Sequence, residues 1–542
     1  MRLRALPQSN ARFHSSNSWA ARSTLAILIA TVVTLLIPIG SAAQATNPIA
    51  RSFRGAGTSE DSCHTPPIHG FGFDRYGGWK GLHRNATGRF RVDRLGAGFS
   101  LLTPLGNAFF ANGATGLGPL GDTIANGSSP YHDAVTARYG TDAAWSDATF
   151  QRLCALGMRT IGGWASPSEV DLFAGRLAYT VNIDIYASLP TVTTGPGGNK
   201  PRRDAFADDA VDRARTAAHA NPLVDRCAID PWCIGVFNEN EQPYAPAIFA
   251  GGTHVDVYLS QPAGSPGKSA LQRFFAHRYG DQAPARFNEV WGTTLQHWSD
   301  FQDLTALGDC APDAGWFDDL CMIDESPARF TDRMDFEAEV AGRVARLADA
   351  VLNEIAPKML NLGPRLVVAP YSRQLLRAIG APADIVSVNN YDVEQVVNLI
   401  FTPAQQMKMD QLGLLSFRPY KRLAQVAAAT HKPVWVSEWF YRTARPGMSS
   451  FPPFLPERPD ATTRADAAAW YLKQLLNMPF VVGESWFQWQ DQPIVGRQAD
   501  GENQLIGVVD IHDDLNQPLA QRLTRLYRGI VDRRFVHAKV RD

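Results

Sequence analysis

The sequence predicts an α/β fold, a (β/α)₈ TIM barrel, on three observations. About eight short apolar segments alternate with helical segments between residues 91 and 510. These segments are continuously apolar, which is typical of buried parallel strands rather than of half-exposed ones. No GxGxxG follows the first strand and no GxxxxGK[ST] occurs. The last point disfavours the alternative, a doubly wound nucleotide-binding sheet.

The predicted strands and helices follow one another in chain order. The strands are Ala108–Ala111, Gly157–Trp164 with its turn, Tyr179–Tyr186, Ile229–Phe237, Leu366–Pro370, Ile385–Val388, Val434–Val436 and Val481–Trp489. Helical periodicity marks Asp147–Leu156, Val211–Ala220, Phe330–Ile355 and Arg464–Leu476. We expect long loop insertions after strands 4, 7 and 8, where barrel enzymes place the loops that shape a substrate site.

Composition places the chain among globular proteins with a local site. It has 542 residues, 45% of them hydrophobic, which allows either one barrel-sized domain with insertions or several smaller domains. The 52 Lys and Arg residues balance 53 Asp and Glu residues, so the basic excess of a nucleic-acid or membrane-surface protein is lacking. The 13 Trp and 28 Phe residues suit stacking on sugars, although most large aromatic side chains fill cores.

The N-terminus predicts export. The first 59 residues contain no acidic residue, and a basic leader precedes the apolar run Ser23–Ile39 and the small residues Ser41–Ala45. This pattern is typical of a secretory signal peptide over residues 1–45, which predicts a secreted or periplasmic protein. The alternative is an uncleaved N-terminal anchor, for which the run is short. No later stretch is apolar enough to span a membrane, so no stable membrane association is expected after signal removal.

The six cysteines are interpreted as structural or free. Disulfides are compatible with export, and Cys227 with Cys233, like Cys310 with Cys321, could close a small loop. Cysteine and histidine spacings typical of zinc sites do not occur. We therefore expect no metal site.

Polar residues at the carboxyl ends of barrel strands point into the site of such a fold. At the ends of strands 4, 6, 7 and 8 stand Asn238, Glu239, Tyr391, Glu438, Trp439, Trp486 and Trp489. Two carboxylates among aromatic rings suit cleavage of a glycosidic bond, which needs a proton donor and a second carboxylate but neither metal nor cofactor. Aromatic surroundings raise the pKa of one carboxyl and keep it protonated.

Each of these features also has a purely structural interpretation. Asn238 and Glu239 can be an ordinary loop start, Glu438 an ion pair, and Trp486 a filler of the barrel. Glu241 competes with Glu239 as the acid, although it lies further into the loop. Their joint occurrence at several strand ends favours the functional interpretation.

The segments around these residues resemble a known family. Asn-Glu after strand 4 and Glu after strand 7 resemble the clan of retaining barrel glycosidases, and the likeness is strongest to glycoside hydrolase family 50, the β-agarase-like family, with family 42 β-galactosidases as neighbours. The matching segments are Asp230–Tyr244, His277–Phe301, Leu360–Leu366, Lys432–Phe440 and Gly483–Asp510. The likeness spans residues 91–510. Two features depart from the family: no β-sandwich module is expected before the barrel, and strand 4 ends Asn-Glu-Asn-Glu.

The resemblance implies a role for each matching residue. Glu239 would be the general acid/base, Glu438 the nucleophile, Asn238 the ligand of a sugar 2-hydroxyl, and Tyr391 a hydrogen-bond donor to the nucleophile. The implied substrate-binding residues are Asn238, Tyr391, Trp164, Trp439, Trp486, Trp489 and Arg497, with Asp500, Glu502 and Asn503 shaping the cleft.

We therefore expect a secreted, retaining β-glycoside hydrolase that binds a polysaccharide or oligosaccharide and no nucleic acid. Its domains would be a signal peptide over residues 1–45, a loose lead-in over 46–90 and a catalytic domain over 91–542. Retention requires the carboxyls of Glu239 and Glu438 to lie about 5–5.5 Å apart. The alternatives are a non-catalytic polysaccharide-binding protein on the same barrel and a transglycosylase.

Overall fold

The computed structural model contains a mostly parallel sheet that curls into an α/β barrel. It describes residues 63, 66–193, 201–245, 252–308, 322–394, 397–398, 401–445, 447, 449–451, 455 and 457–536. Barrel strands 1 to 8 are Ala111–Ala114, Thr160–Ile161, Ala178–Asn182, Cys233–Phe237 with Glu239–Asn240, Leu360–Asn361 with Pro364–Leu366, Val386–Asn389, Val434–Trp439 and Val481–Trp486. Neighbours pair in parallel in the order 5-6-7-8-1-2-3-4, and strand 4 also pairs with strand 5. The carboxyl ends of all eight strands therefore meet at one rim.

Helices connect these strands. They are Pro130–Tyr139, Asp142–Leu156, Pro167–Leu172, Ile185–Ser188, Ala210–Ala220, Pro222–Ile229, His254–Leu259, Pro266–Tyr279, Ala285–Trp291, Pro327–Ile355, Arg373–Gly380, Pro403–Gln411, Pro419–Thr430, Ala461–Asn477 and Gln517–Arg528, with a 3₁₀ turn at Trp298–Asp303 and a π turn at Asp532–Val536. Many of them begin with proline at the first helical position. Proline lacks a backbone N–H, but the N–H at this position has no partner within the helix, so no hydrogen bond is lost. In the part of the chain that is described, no helix is both long and apolar enough to cross a membrane.

Strand 1 begins later than the sequence predicts. Residues Ala108–Phe109 belong instead to a four-stranded antiparallel sheet of Trp79–His83, Arg91–Leu95, Gly98–Leu102 and Asn107–Phe109. Both faces of the short strand Asn107–Phe109 are buried, so its sequence has the same apolar pattern as a barrel strand and predicts one. Two smaller two-stranded sheets pair Thr191–Thr193 with Arg202–Arg203, and Arg442–Thr443 with Glu457–Arg458.

The antiparallel sheet closes the N-terminal end of the barrel, and we call it the plug sheet. Phe90, Leu101 and Phe109 form one buried cluster with side chains from the first residues of the barrel strands, among them Ile234 and Trp435. Strand Trp79–His83 pairs with Asn107–Phe109 across the predicted boundary at residue 91. The segment 46–90, which the sequence predicts as a lead-in, thus contributes this strand to the plug sheet.

Two disulfide bonds are present among the described residues. Cys227 bonds Cys233, as the sequence suggests, and Cys63 bonds Cys154. The second bond ties the start of the described chain to helix Asp142–Leu156. Cys310 and Cys321 lie outside the described residues.

Candidate active site

Glu438 lies near the carboxyl end of barrel strand 7 and is only 6% exposed. Its Oε1 accepts hydrogen bonds from the indole N–H of Trp164 at 2.7 Å and from the guanidinium of Arg365. Its Oε2 accepts a hydrogen bond from the hydroxyl of Tyr391 at 2.6 Å. The loops after strands 2 and 6, together with strand 5, thus converge on one carboxylate. One cationic and two neutral donors therefore fix the orientation of this carboxyl group.

Arg365 is a candidate site residue that the sequence pattern did not single out. It is fully buried in barrel strand 5, and its guanidinium reaches both Glu438 and the Oδ1 of Asn240, at 3.0 Å from the latter. The guanidinium also lies 4.9 Å from the ring centroid of Trp164 and 5.6 Å from that of Phe237, which is cation–π geometry. An arginine within a strand-like apolar segment could have indicated this ion pair, because a buried arginine almost always has a charged partner.

Trp164 stands at the end of barrel strand 2 in a left-handed backbone conformation, with φ of 69°. This region is strained for a bulky side chain and is maintained only when surrounding contacts fix it. The side chain is 37% exposed, whereas Glu438 and Arg365 beside it are buried. Its exposed part lines a pocket of about 330 Å³. Polar residues of that pocket are Ser166, Asn182, Asp184, Arg203, Asn221, Asn240 and Gln242.

Glu239 begins the second part of strand 4 and is buried, with 2% of its surface exposed. Its Oε2 accepts a hydrogen bond from the hydroxyl of Tyr244 at 3.1 Å. Burial and then the negative charge of Asp184 raise the pKa of Glu239 well above its ordinary value, and the Tyr244 hydrogen bond opposes them. A carboxyl in this state holds its proton near neutral pH and can donate it.

Asn238 and Glu241 flank this carboxyl in the chain. The Nδ2 of Asn238 donates to Asn361 at 2.9 Å, and its buried Oδ1 makes no hydrogen bond among the described residues. Glu241, at φ of 51°, accepts a hydrogen bond from Asn389 at 2.9 Å. Glu241 is thus bound to strand 6, whereas Glu239 contacts its own loop.

The structure buries the three tryptophans predicted near the carboxylates. Trp439, Trp486 and Trp489 are exposed by at most 1%. The indole N–H of Trp439 donates to Glu484 at 2.6 Å, and that of Trp486 to the carbonyl of Ile506 at 2.9 Å. Their rings are therefore covered by protein atoms and form the wall behind strands 7 and 8.

Arg497 and its neighbours form a compact ionic cluster in the loop after strand 8. The guanidinium of Arg497 donates to both carboxylate oxygens of Asp500, at 2.7 and 2.6 Å, and lies 2.9 Å from Glu502. Burial raises the pKa of Glu502 to about 7, against the lowering effect of Arg497. The Oδ1 of Asn503 accepts a hydrogen bond from the backbone N–H of Phe451 at 2.6 Å, which joins two loops.

A further buried carboxyl, Glu484, faces away from this site. It accepts hydrogen bonds from Trp439 and from the hydroxyl of Tyr527, which belongs to the outer helix Gln517–Arg528. Burial raises the pKa of Glu484 to about 8. Because its partners lie between the barrel and its helices, this residue supports the fold.

Similarity to known proteins covers most of the chain. No family model matches the sequence. The chain is similar to Beta-agarase B of Vibrio sp. (strain JT0107), with 22% identity over 518 residues that cover 84% of this chain and 50% of the relative. It is also similar to Beta-agarase A of the same organism, with 24% identity over 399 residues that cover 71% of this chain and 36% of the relative. The chain thus spans half or less of the length of these curated relatives.

Solved structures share the fold. An exo-beta-agarase superposes with a TM-score of 0.69 at 19% identity, covering 85% of this chain and 67% of that one. The agarase AgWH50C gives 0.69 at 20% identity, covering 97% and 72%, and PfGH50B gives 0.68 at 20%, covering 85% and 69%. The resemblance to the β-agarase-like glycoside hydrolases of family 50 that the sequence indicates is confirmed.

Proposed function

We propose that the protein is a retaining β-glycoside hydrolase that cleaves a β-linked galactan or a related polysaccharide through Glu239 and Glu438. The observation that carries the proposal is the contrast between these two buried carboxyls at one rim of the barrel. Glu438 is held by three donors, one of them cationic, while burial keeps Glu239 protonated. A double displacement requires one carboxyl that donates a proton and a second carboxyl held in place to attack.

In the first step, Glu438 attacks the anomeric carbon and Glu239 protonates the glycosidic oxygen. The bond from the anomeric carbon to the leaving sugar breaks, and a glycosyl ester with Glu438 forms. We assign Oε2 as the attacking atom, because Oε1 already accepts from Trp164 and Arg365 while Oε2 accepts only from Tyr391. Neither metal nor cofactor takes part in this scheme.

In the second step, Glu239 acts as a base. Its carboxylate takes a proton from water, the water oxygen attacks the anomeric carbon, and the ester bond to Glu438 breaks. The configuration at the anomeric carbon is restored after two inversions. This scheme needs the two carboxyls about 5–5.5 Å apart.

The substrate would lie along the pocket beside Trp164. In this proposal one sugar packs against the exposed part of Trp164. The Oδ1 of Asn238, which has no hydrogen-bond partner among the described residues, accepts a hydrogen bond from the 2-hydroxyl of the reacting sugar. Loops after strands 4, 7 and 8 would shape the cleft, with the ionic cluster of Arg497 at one side. Because Trp439, Trp486 and Trp489 are covered, we assign them to the wall and not to an open sugar platform.

Export is part of the proposal. The signal-like residues 1–45 and the disulfides Cys63–Cys154 and Cys227–Cys233 suit an oxidising compartment outside the cytoplasm. A secreted or periplasmic location would give the protein access to an extracellular glycan.

Product analysis tests the proposal. The protein would be incubated with agarose, other β-galactans, β-galactosides and β-glucans, and the products followed by mass spectrometry and by NMR of the anomeric proton. We expect cleavage with retained configuration, lost in Glu438→Gln and Glu239→Gln but kept in the surface variant Glu354→Gln. Binding without cleavage would instead identify a polysaccharide-binding protein, and transfer to a sugar acceptor a transglycosylase. An inverted product would contradict the double displacement.

A further inference from the structure

Among the described residues, Tyr244 is the one whose side chain donates a hydrogen bond to Glu239. Its hydroxyl donates to Oε2 at 3.1 Å, and the residue is 1% exposed. Burial raises the pKa of Tyr244 well above its ordinary value, so it remains an O–H donor across the working range of proteins. Because Oε2 accepts this bond, Oε1 is the oxygen left without a side-chain partner among the described residues and is available to carry the proton.

Two buried charged side chains fix the chain on both sides of Tyr244. Glu337, from the long helix Pro327–Ile355, accepts the backbone N–H of Ala245 at 3.2 Å and the backbone N–H of His254. Arg202 donates to the carbonyls of Pro243 and Gly252. The same two stretches of backbone are therefore held by an anion at their N–H groups and by a cation at their carbonyls.

His254 completes this clamp as a neutral side chain. Its Nδ1 lies 2.9 Å from Glu337 and its Nε2 3.1 Å from the hydroxyl of Tyr186. Burial, with the nearby charge of Arg202, lowers the pKa of His254, so Nδ1–H donates to an ionised Glu337 and Nε2 accepts from Tyr186. The ring of Tyr244 packs 5.7 Å from that of Tyr186. The guanidinium of Arg202 also lies 3.3 Å from Nδ1 of His254, so Arg202 and His254 both face the carboxylate of Glu337.

We propose that Tyr244 is a positioning residue for the acid/base Glu239, an inference that rests on the proposed function. Glu337 and Arg202 hold the backbone on both sides of Tyr244. Tyr244 fixes one rotamer of the carboxyl and directs Oε1 toward the glycosidic oxygen. The hydrogen bond also stabilises the carboxylate that must act as base in the second step.

The electrostatic surroundings of Glu239 make this role measurable. Asp184, from the end of strand 3, faces it with a negative charge, and the hydroxyls of Tyr186, Tyr244 and Tyr371 lie near it without charge. Of these groups only Tyr244 favours the ionised form of Glu239. Its removal should therefore move the titration of Glu239 in one direction, upward.

The experiment compares Tyr244→Phe with Tyr258→Phe. Tyr258 belongs to the same buried aromatic cluster, but its hydroxyl hydrogen-bonds only to backbone groups, those of Arg203 and Ala205, within the described ranges. The titration of Glu239 is followed by infrared absorption of its carboxyl, assigned by difference from Glu239→Gln, and so needs no turnover. We expect Tyr244→Phe to shift it upward by about one pH unit, and Tyr258→Phe to leave it unchanged.

Kinetics supply the second readout. On a cleaved glycan, the alkaline limb of kcat/KM should move upward with the infrared titration in Tyr244→Phe. kcat should fall about tenfold with little change in KM, because Tyr244 contacts the acid/base and not the pocket. Glu337→Gln should move the limb in the same direction, and it serves if Tyr244→Phe does not fold. An unshifted titration in a folded Tyr244→Phe would overturn the inference, whereas an inert wild-type protein would overturn only the proposed function.

Discussion

The indole N–H of Trp164 donates to Oε1 of Glu438 at 2.7 Å and so links the end of barrel strand 2 to strand 7. The same side chain presents an exposed surface to the pocket. One residue therefore contacts the proposed nucleophile and the space where a sugar would lie. Its left-handed backbone is the local strain that this double contact requires.

The first prediction separates these two contacts. Trp164→Phe keeps an aromatic surface for the sugar but removes the N–H donor to Glu438. Loss of one preorganised donor next to the reacting charge should lower kcat by about 10²-fold, with a smaller effect on KM. Steady-state kinetics on a soluble oligosaccharide measure both. A raised KM with an unchanged kcat would mean that Trp164 contributes binding alone.

The second prediction concerns Arg365. Arg365→Met removes the cation from a buried ion pair and leaves Glu438 without its charged partner, which should reduce the free energy of unfolding by about 3–5 kcal/mol. Denaturant unfolding measures the change. Arg215→Met is the control, since its partner Glu354 and Arg215 itself lie on the surface and their pair should matter little. A stability equal to the wild type would show that Arg365 does not compensate a buried charge.

The third prediction is a rescue of the nucleophile gap. Glu438→Gly should lose glycan cleavage, and azide should restore activity on an aryl glycoside by attacking the anomeric carbon in place of the carboxylate. The product would be a glycosyl azide of inverted configuration, identified by NMR. Glu354→Gly is the surface control and should respond to azide no more than the wild type. If azide leaves Glu438→Gly inactive, another residue is the nucleophile.

The fourth prediction is a pH dependence of stability. The pKa of Glu484 is raised to about 8 in the folded protein, so the folded state keeps this proton after the unfolded state, with its ordinary value of 4.5, has lost it. Between these two values the free energy of unfolding should fall as pH rises, with a slope of at most about 1.4 kcal/mol per pH unit from this group. Below the lower value the contribution is constant.

Glu484→Gln tests this dependence. The amide is neutral at every pH, so the variant should lose stability less steeply than the wild type between pH 5 and pH 8 and gain relative to it as pH rises. Urea unfolding at several pH values measures the difference. Parallel curves for the two proteins would place the pH dependence on other buried carboxyls, such as Glu502 and Asp491.

Short-range pattern was enough to predict much of the fold. Continuous apolar segments predicted the α/β barrel. Polar residues at the strand ends predicted Glu438 and Tyr391 as site residues, and the structure places the hydroxyl of Tyr391 2.6 Å from Oε2 of Glu438. Both follow from the rule that strand ends share one rim. The mutual placement of Glu239 and Glu438 and their roles remain predictions.

Other features depend on contacts between distant residues. Arg365 reaches Glu438 across 73 positions, and Glu337 reaches Ala245 across 92, so no local pattern reports them. The exposure of a tryptophan is likewise a tertiary property, which is why Trp164 and Trp486 looked alike in sequence and differ in the structure. The plug sheet escaped prediction because its strands are short and its Phe109 is as buried as a barrel residue.

The two ends of the barrel have different roles, because the plug sheet closes one end and the proposed site lies at the other. Phe90, Leu101 and Phe109 secure the lower end, while Glu239 and Glu438 occupy the opposite rim. Substitutions at the lower end should therefore alter the stability of the folded protein without altering what it binds. Stability and binding specificity can thus be changed independently, by substitutions at opposite ends of the barrel.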